Sequence, residues 1–205
     1  MDLSQLQGAL ASKSYEKIAD ICDEVMLQVE AHQFPKVASR GIVFQEEWPY
    51  AIHLLGHIYV NDLNSARFLW KSIPQGIKES RPELVAAWKI GRCLWNRDYA
   101  GVYGAIRGFE WSPEVIGLVT TFSENYTKKM FQLLTSAYST ITVADVAHFM
   151  GMSEDDATNY ALQQGWTLDS SSQMLTVRKP KITTEQKLDP SKLQRLTEFV
   201  FHLEH

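Results

Sequence analysis

The chain has little cysteine, little proline and glycine, and no long apolar run. Cys22 and Cys93 are its only thiols in 205 residues. Both fall within apolar patterns, so they read as packed, reduced thiols of an intracellular chain rather than as a disulfide framework. Seven prolines and eleven glycines exclude collagen-like or low-complexity character. No stretch approaches the roughly 18 apolar residues that span a membrane. The longest candidate, Ile52–Val60, is interrupted by His53, Gly56 and His57. The opening MDLSQLQGALASKS has neither a basic region nor an apolar core, so it is not a secretory signal. With 20 Lys and Arg against 24 Asp and Glu, the net charge of −4 offers no footprint for nucleic acid or an anionic membrane.

What is present is helical periodicity on a 45% hydrophobic chain, enough to build a core unaided. Stripes of spacing three and four run through Ile18–Val29, Trp48–Tyr59, Ala66–Ile73, Leu84–Trp95 and Val115–Tyr138. Prolines 82, 113 and 190 read as helix starts. NDLNSARFLW at Asn61 is echoed by NRDYAGVYGAI at Asn96, and an earlier copy lies at KSYEKIADI, displaced by an insertion around Pro35 and Gly41. A period near 35 residues is the mark of stacked helical hairpins. Ala66, Ala100 and Gly101 are small enough to let neighbouring backbones approach.

Beyond residue 140 the texture changes. Thr142 starts a short helix that Gly151 stops, and Ser153 starts a second that ends at Gly165. Two β-like runs follow, Gly165–Leu168 and Met174–Val177, joined by a turn at 169–172. Helix, turn, helix and hairpin make a winged helix. Charge argues against DNA as its ligand. From Met130 to Val177 there is no Lys or Arg, and the same stretch holds Asp145, Glu154, Asp155, Asp156 and Asp169. A recognition helix opening with Glu-Asp-Asp repels phosphates, so this winged helix is read as a protein contact.

Catalytic signatures are missing. His53 and His57 have the i, i+4 spacing of a zinc-protease pair, but Leu54-Leu55-Gly56 lies between them and no third ligand is visible nearby. They read as structural histidines. Gly101, Gly104 and Gly108 match neither a dinucleotide fingerprint nor a phosphate loop, and read as close helix packing. No catalytic, metal-binding or cofactor-binding residue is assigned, and the chain reads as no enzyme. Trp70, Trp88 and Trp95 fall on helical stripes and read as core; Trp48, Trp111 and Trp166 border elements, where rings seal junctions or meet a partner.

The most informative stretch is the last. After a polar linker, Leu193, Leu196, Val200 and Leu203 step by three, four and three on a helix from Pro190 to Leu203. A helix of about 14 residues is marginal alone in water, so its stripe packs either on its own domain or into a bundle with other chains. The linker favours the bundle by letting the helix reach outward.

The layout is therefore mostly α: stacked helical hairpins over 1–140, a winged helix over 141–178, a linker over 179–189 and a terminal helix over 190–205. It resembles the PCI-domain scaffold subunits of the proteasome lid, the translation initiation factor three complex and the COP-9 signalosome. NDLNSARFLWKSIP, WNRDYAGVYGAIRGFEWS, FQLLTSAYSTIT and SKLQRLTEFVFHLEH are similar in wording to the signalosome's subunit-eight family in its plant form. That resemblance implies a non-catalytic subunit of an isopeptidase complex that removes Nedd8/Rub from cullins, regulates cullin–RING ubiquitin ligases and represses photomorphogenesis in plants. It implies a hetro-oligomer in cytoplasm and nucleus, with the metal site on another subunit and no nucleic-acid or membrane partner. It also implies two interfaces: the winged-helix edge, carried onto Met174, Leu175, Thr176 and Val177, and the bundle helix with Leu193, Leu196, Val200 and Leu203. A stand-alone acidic adaptor in ubiquitin or transcription pathways is the rival reading.

Overall fold

A computed structural model of the chain describes residues 3–33, 47–169, 171–179 and 190–203. The insertion around Pro35 and nearly all of the expected linker lie outside the described residues. Helices α1 (Ser4–Ala11) and α2 (Ile18–Gln33) are followed by α3 (Tyr50–Tyr59), α4 (Leu63–Ser72), α5 (Gln75–Ser80), α6 (Pro82–Trp95), α7 (Tyr99–Arg107) and α8 (Ile116–Ala137). Then come β1 (Thr140–Thr142), α9 (Val143–Met150), α10 (Glu154–Gln163), β2 (Thr167–Asp169), β3 (Met174–Thr176) and α11 (Pro190–Leu203). Pro82 and Pro190 open their helices, whereas Pro113 stands three residues before α8, in a turn whose Ser112 carbonyl accepts from Val115 and Ile116.

The hairpin repeat is built on one turn used three times. Lys13, Asn61 and Arg97 all have left-handed backbone, φ 56°, 63° and 58°. After each, the next amide donates across the helix end: Ser14 to Ala9 O, Asp62 to His57 O and Asp98 to Cys93 O, each at 2.9 Å. This satisfies carbonyls that a helix end leaves free and reverses the chain. Asp62 and Asp98 then cap the next helix, accepting from the amides of Ser65 and Gly101 at 3.0 Å. The equivalent residues are thus Asn61 and Arg97, one position away from the Asn61–Asn96 match that the sequence suggests. The copy at KSYEKIADI has the same turn.

Two apolar cores result. The first gathers residues from α1 to α8, including Ile18, Leu54, Leu55, Leu84, Ile90, Val102 and Leu118. The second lies in the winged helix, around Ile141, Val146, Met150, Trp166 and Leu175. Helix α8 serves both: Leu118, Val119 and Phe122 enter the first, and Met130, Phe131 and Leu134 the second. The second core therefore begins before residue 141. Helix α9 also meets α7, where the Arg107 guanidinium donates to Gly151 O at 2.8 Å.

Close approach is concentrated at glycines other than those the sequence suggests. A Cβ on Gly56 meets Ile18 at 2.8 Å and the Ala19 amide nitrogen at 3.0 Å, so this glycine lets α2 lie against α3. A Cβ on Gly104 meets nothing within 4 Å, and one on Gly101 meets its own Asp98 cap. That run answers local turn geometry rather than helix packing. Trp95 corrects another expectation: it is 43% exposed, with the Arg67 guanidinium 4.7 Å over its ring. Trp70 and Trp88 stack at 5.4 Å against the first core, while Trp48 and Trp166 are the fully buried tryptophans.

Gly151 has φ +58°, and a Cβ there falls 2.5 Å from the Tyr103 ring. Gly151→Ala is expected to destabilise the protein by roughly 2–4 kcal/mol through backbone strain and overpacking where α7 meets α9. A urea midpoint equal to that of the parent chain contradicts this.

Candidate assembly surfaces and a buried histidine pair

The wing starts from two capped helices. Thr142 Oγ1 accepts from the Asp145 amide and Ser153 Oγ from the Asp156 amide, both at 3.1 Å. The caps' hydroxyls donate back to those carboxylates at 2.6 and 2.7 Å. Gly151 and Gly165 supply the left-handed stops. The β2–β3 turn is held by Asp169, which accepts from the Ser171 amide and from the hydroxyls of Ser171 and Ser172. Those bonds, led by the Ser171 hydroxyl, bring its carboxyl down to about 2.

The sheet order is β1-β3-β2. Leu175 faces Ile141 on one side and Leu168 on the other. The run Met174–Val177, expected as the free edge, is therefore the central strand. Leu175 and Val177 are buried, and the Val177 amide donates to Ser139 O. The expectation fails because the sequence shows one hairpin, and in a hairpin either strand can be the edge. The third strand, β1, hides in three residues between helices, where Thr142 also serves as an N-cap. Among the described residues the outer strands are β1 and β2.

Helix α11 carries the second expected surface. Val200 is 53% exposed, and the neighbouring Phe199 and Phe201 are 62% and 66% exposed. The side chains of Leu193, Leu196 and Leu203 lie outside the described ones. The two phenylalanines extend the apolar side beyond the four-residue seam. At 100° per residue Phe199 falls about 40° beyond Leu203 on one side of that seam and Phe201 about 80° beyond Leu193 on the other, a signal present in the sequence. Among the described residues no helix is long and apolar enough to cross a membrane.

The third feature joins α2 to α3. His53 and His57 are 1% and 4% exposed. Trp48 Nε1–H donates to His53 Nδ1 at 3.3 Å, which leaves the proton of neutral His53 on Nε2, 2.8 Å from Asp23 Oδ1. His57 Nε2 lies 3.1 Å from His53 Nε2 and 3.4 Å from Asp23 Oδ1. Sequence reasoning left the histidine pair without a third partner because Asp23 is thirty positions away and on another helix. Burial, then the neighbouring His57, push His53 below its ordinary value, although Asp23 pulls the other way. Burial raises the Asp23 carboxyl, and its bond from His53 and the two imidazoles more than offset this, leaving it lowered. Burial, reinforced by Asp23, pushes the neighbouring Cys22 thiol up to about 12, so it stays protonated.

These parts define a scaffold of stacked helical hairpins ending in a winged helix, the PCI type, with an exposed apolar terminal helix. The family model described as the CSN8/PSMD8/EIF3K family matches residues 45–186, and the chain belongs to that family. It is 62% identical to COP9 signalosome complex subunit 8 of Arabidopsis thaliana over 205 residues, all of both chains. It is 33% identical to the Xenopus laevis protein of that name over 207 residues, again all of both chains. Against the Danio rerio protein of the same name it is 32% identical, covering 92% of this chain and 97% of that one.

Because His53 titrates lower in the folded chain than in the unfolded one, the unfolded state binds more protons as the pH falls through the ordinary histidine range. Stability is expected to fall on acidification from about pH 7 to about pH 5. His53→Gln is expected to flatten that dependence in urea titrations; an unchanged slope contradicts the assignment.

Proposed function

We propose that this protein is a non-catalytic scaffold subunit of a COP9 signalosome, the complex that removes Nedd8/Rub from cullins and so regulates cullin–RING ubiquitin ligases. The observation that carries this reading is full-length similarity to proteins named as signalosome subunit 8, from a plant and from vertebrates. In a plant such a subunit serves the repression of photomorphogenesis, in nucleus and cytoplasm.

The two surfaces then have distinct roles. Helix α11 enters a bundle with helices of other subunits, its apolar side covered there instead of by solvent. The winged helix adds its sheet to those of neighbours. An arc of subunits needs two unlike surfaces on each member, and a three-stranded sheet with outer strands β1 and β2 offers them. The acidic start of α10, with Glu154, Asp155 and Asp156 in its first turn, disfavours nucleic acid and favours protein partners.

Leu196→Asp with Val200→Asp is expected to leave the monomer's helical circular dichroism intact while abolishing incorporation into the complex. Size fractionation of plant extract and affinity purification of the tagged chain check it. Co-purification of the double variant with the other subunits at parental stoichiometry overturns the bundle role. An exclusively monomeric parent chain supports the stand-alone adaptor instead.

A further inference from the structure

We propose that Asp23, His53 and His57 form a binding site for one divalent transition-metal ion of the zinc class, which clamps α2 to α3. The three donor atoms are Asp23 Oδ1 and the two Nε2 atoms, separated by 2.8, 3.1 and 3.4 Å. Tetrahedral zinc with bonds near 2.05 Å holds its ligand atoms about 3.3 Å apart. The triangle is close to that face, and an ion roughly 2 Å from each donor sits roughly 1 Å above its plane.

The fold builds this triangle from local rules. His53 and His57, one helical turn apart, share a face of α3. Gly56, just before His57, removes the side chain that would keep α2 away at Ala19. Asp23 lies one turn beyond Ala19, on the side of α2 that this approach turns toward α3. The histidines are buried, whereas the Asp23 side chain is 51% exposed, so the site is walled on two sides and open on one. That opening suits a water as fourth ligand. The two imidazoles, nitrogen donors that calcium and magnesium disfavour, select zinc and its neighbours, and the carboxylate is compatible with them. Cys22 Sγ is not among the donor atoms that converge here.

Trp48 sets the competition. Its Nε1–H holds His53 in the Nε2–H form, which gives the metal-free chain a complete path from Trp48 through His53 to Asp23. A metal at Nε2 displaces that nitrogen's proton, and with the proton on Nδ1 the ring meets the Trp48 donor with another donor. Metal binding at this site therefore costs the Trp48–His53 hydrogen bond.

The test uses the full-length chain, stripped with a chelator and titrated with Zn2+ by calorimetry and with Co2+ by absorption. One equivalent of Zn2+ is expected to bind, and Co2+ is expected to show tetrahedral d–d bands without thiolate charge transfer. Asp23→Asn and His57→Gln are expected to weaken binding by at least about tenfold, the least that even outer partners of metal ligands show. His148→Gln, at an exposed histidine in the winged helix, leaves binding unchanged. Trp48→Phe, which removes the competing donor, tightens it. Far-ultraviolet circular dichroism confirms each variant's fold, and the Co2+ spectrum of the parent is a readout that needs no variant to fold. No stoichiometric binding by the parent overturns the site. So does a thiolate band, or Asp23→Asn and His57→Gln binding as tightly as the parent, because the ion then sits elsewhere.

Discussion

The architecture depends on α8 burying two stretches of one helix in two different cores. Over its first half, Leu118, Val119 and Phe122 fill the helical-hairpin body; over its second, Met130, Phe131 and Leu134 found the winged helix. An uninterrupted 22-residue helix transmits orientation because its backbone bonds are satisfied internally. Tyr126, midway, packs against both cores. The α7–α9 contact, with Tyr103 on Gly151 and Arg107 on the Gly151 carbonyl, closes the angle that α8 opens. The winged helix is thereby held at a defined pose at the end of a helical stack. Presenting a sheet edge to neighbours requires such a pose.

The repeated turn matters as much at shorter range. Lys13, Asn61 and Arg97 each accept left-handed backbone where glycine is the usual choice. Using the same six-to-one bond three times gives α1–α2, α3–α4 and α6–α7 the same reversal, and Asp62 and Asp98 start the following helices in the same register. Stacking then buries a continuous apolar face that no single hairpin can bury. The winged helix uses the same termination with glycine, at Gly151 and Gly165.

Much of this was legible along the chain, because caps, stops and helical stripes are local. Thr142, Gly151, Ser153 and Gly165 stand where propensity and side-chain hydrogen bonding put them. The repeat was legible to within one residue. The misreadings have a common cause. Trp95 and the glycines at 101, 104 and 108 lie on stripes or spacings that suggest packing. Whether a neighbour comes near them depends on how hairpins stack. Strand β1, with only three residues, carries no alternation to detect, and so along the sequence the central strand β3 looks like an edge.

The sequence alone determined a mostly helical chain of hairpin repeats, a winged helix poor in basic charge, and a terminal helix with one apolar side. Periodicity, capping and charge act over a few residues, so they can be read without coordinates. Only the tertiary structure decided which strand is central, that one helix serves two cores, and that Asp23 meets His53 and His57. Those outcomes require residues on separate elements to converge. Convergence is set by packing geometry, here by one missing side chain at Gly56 and by the pose that α8 imposes.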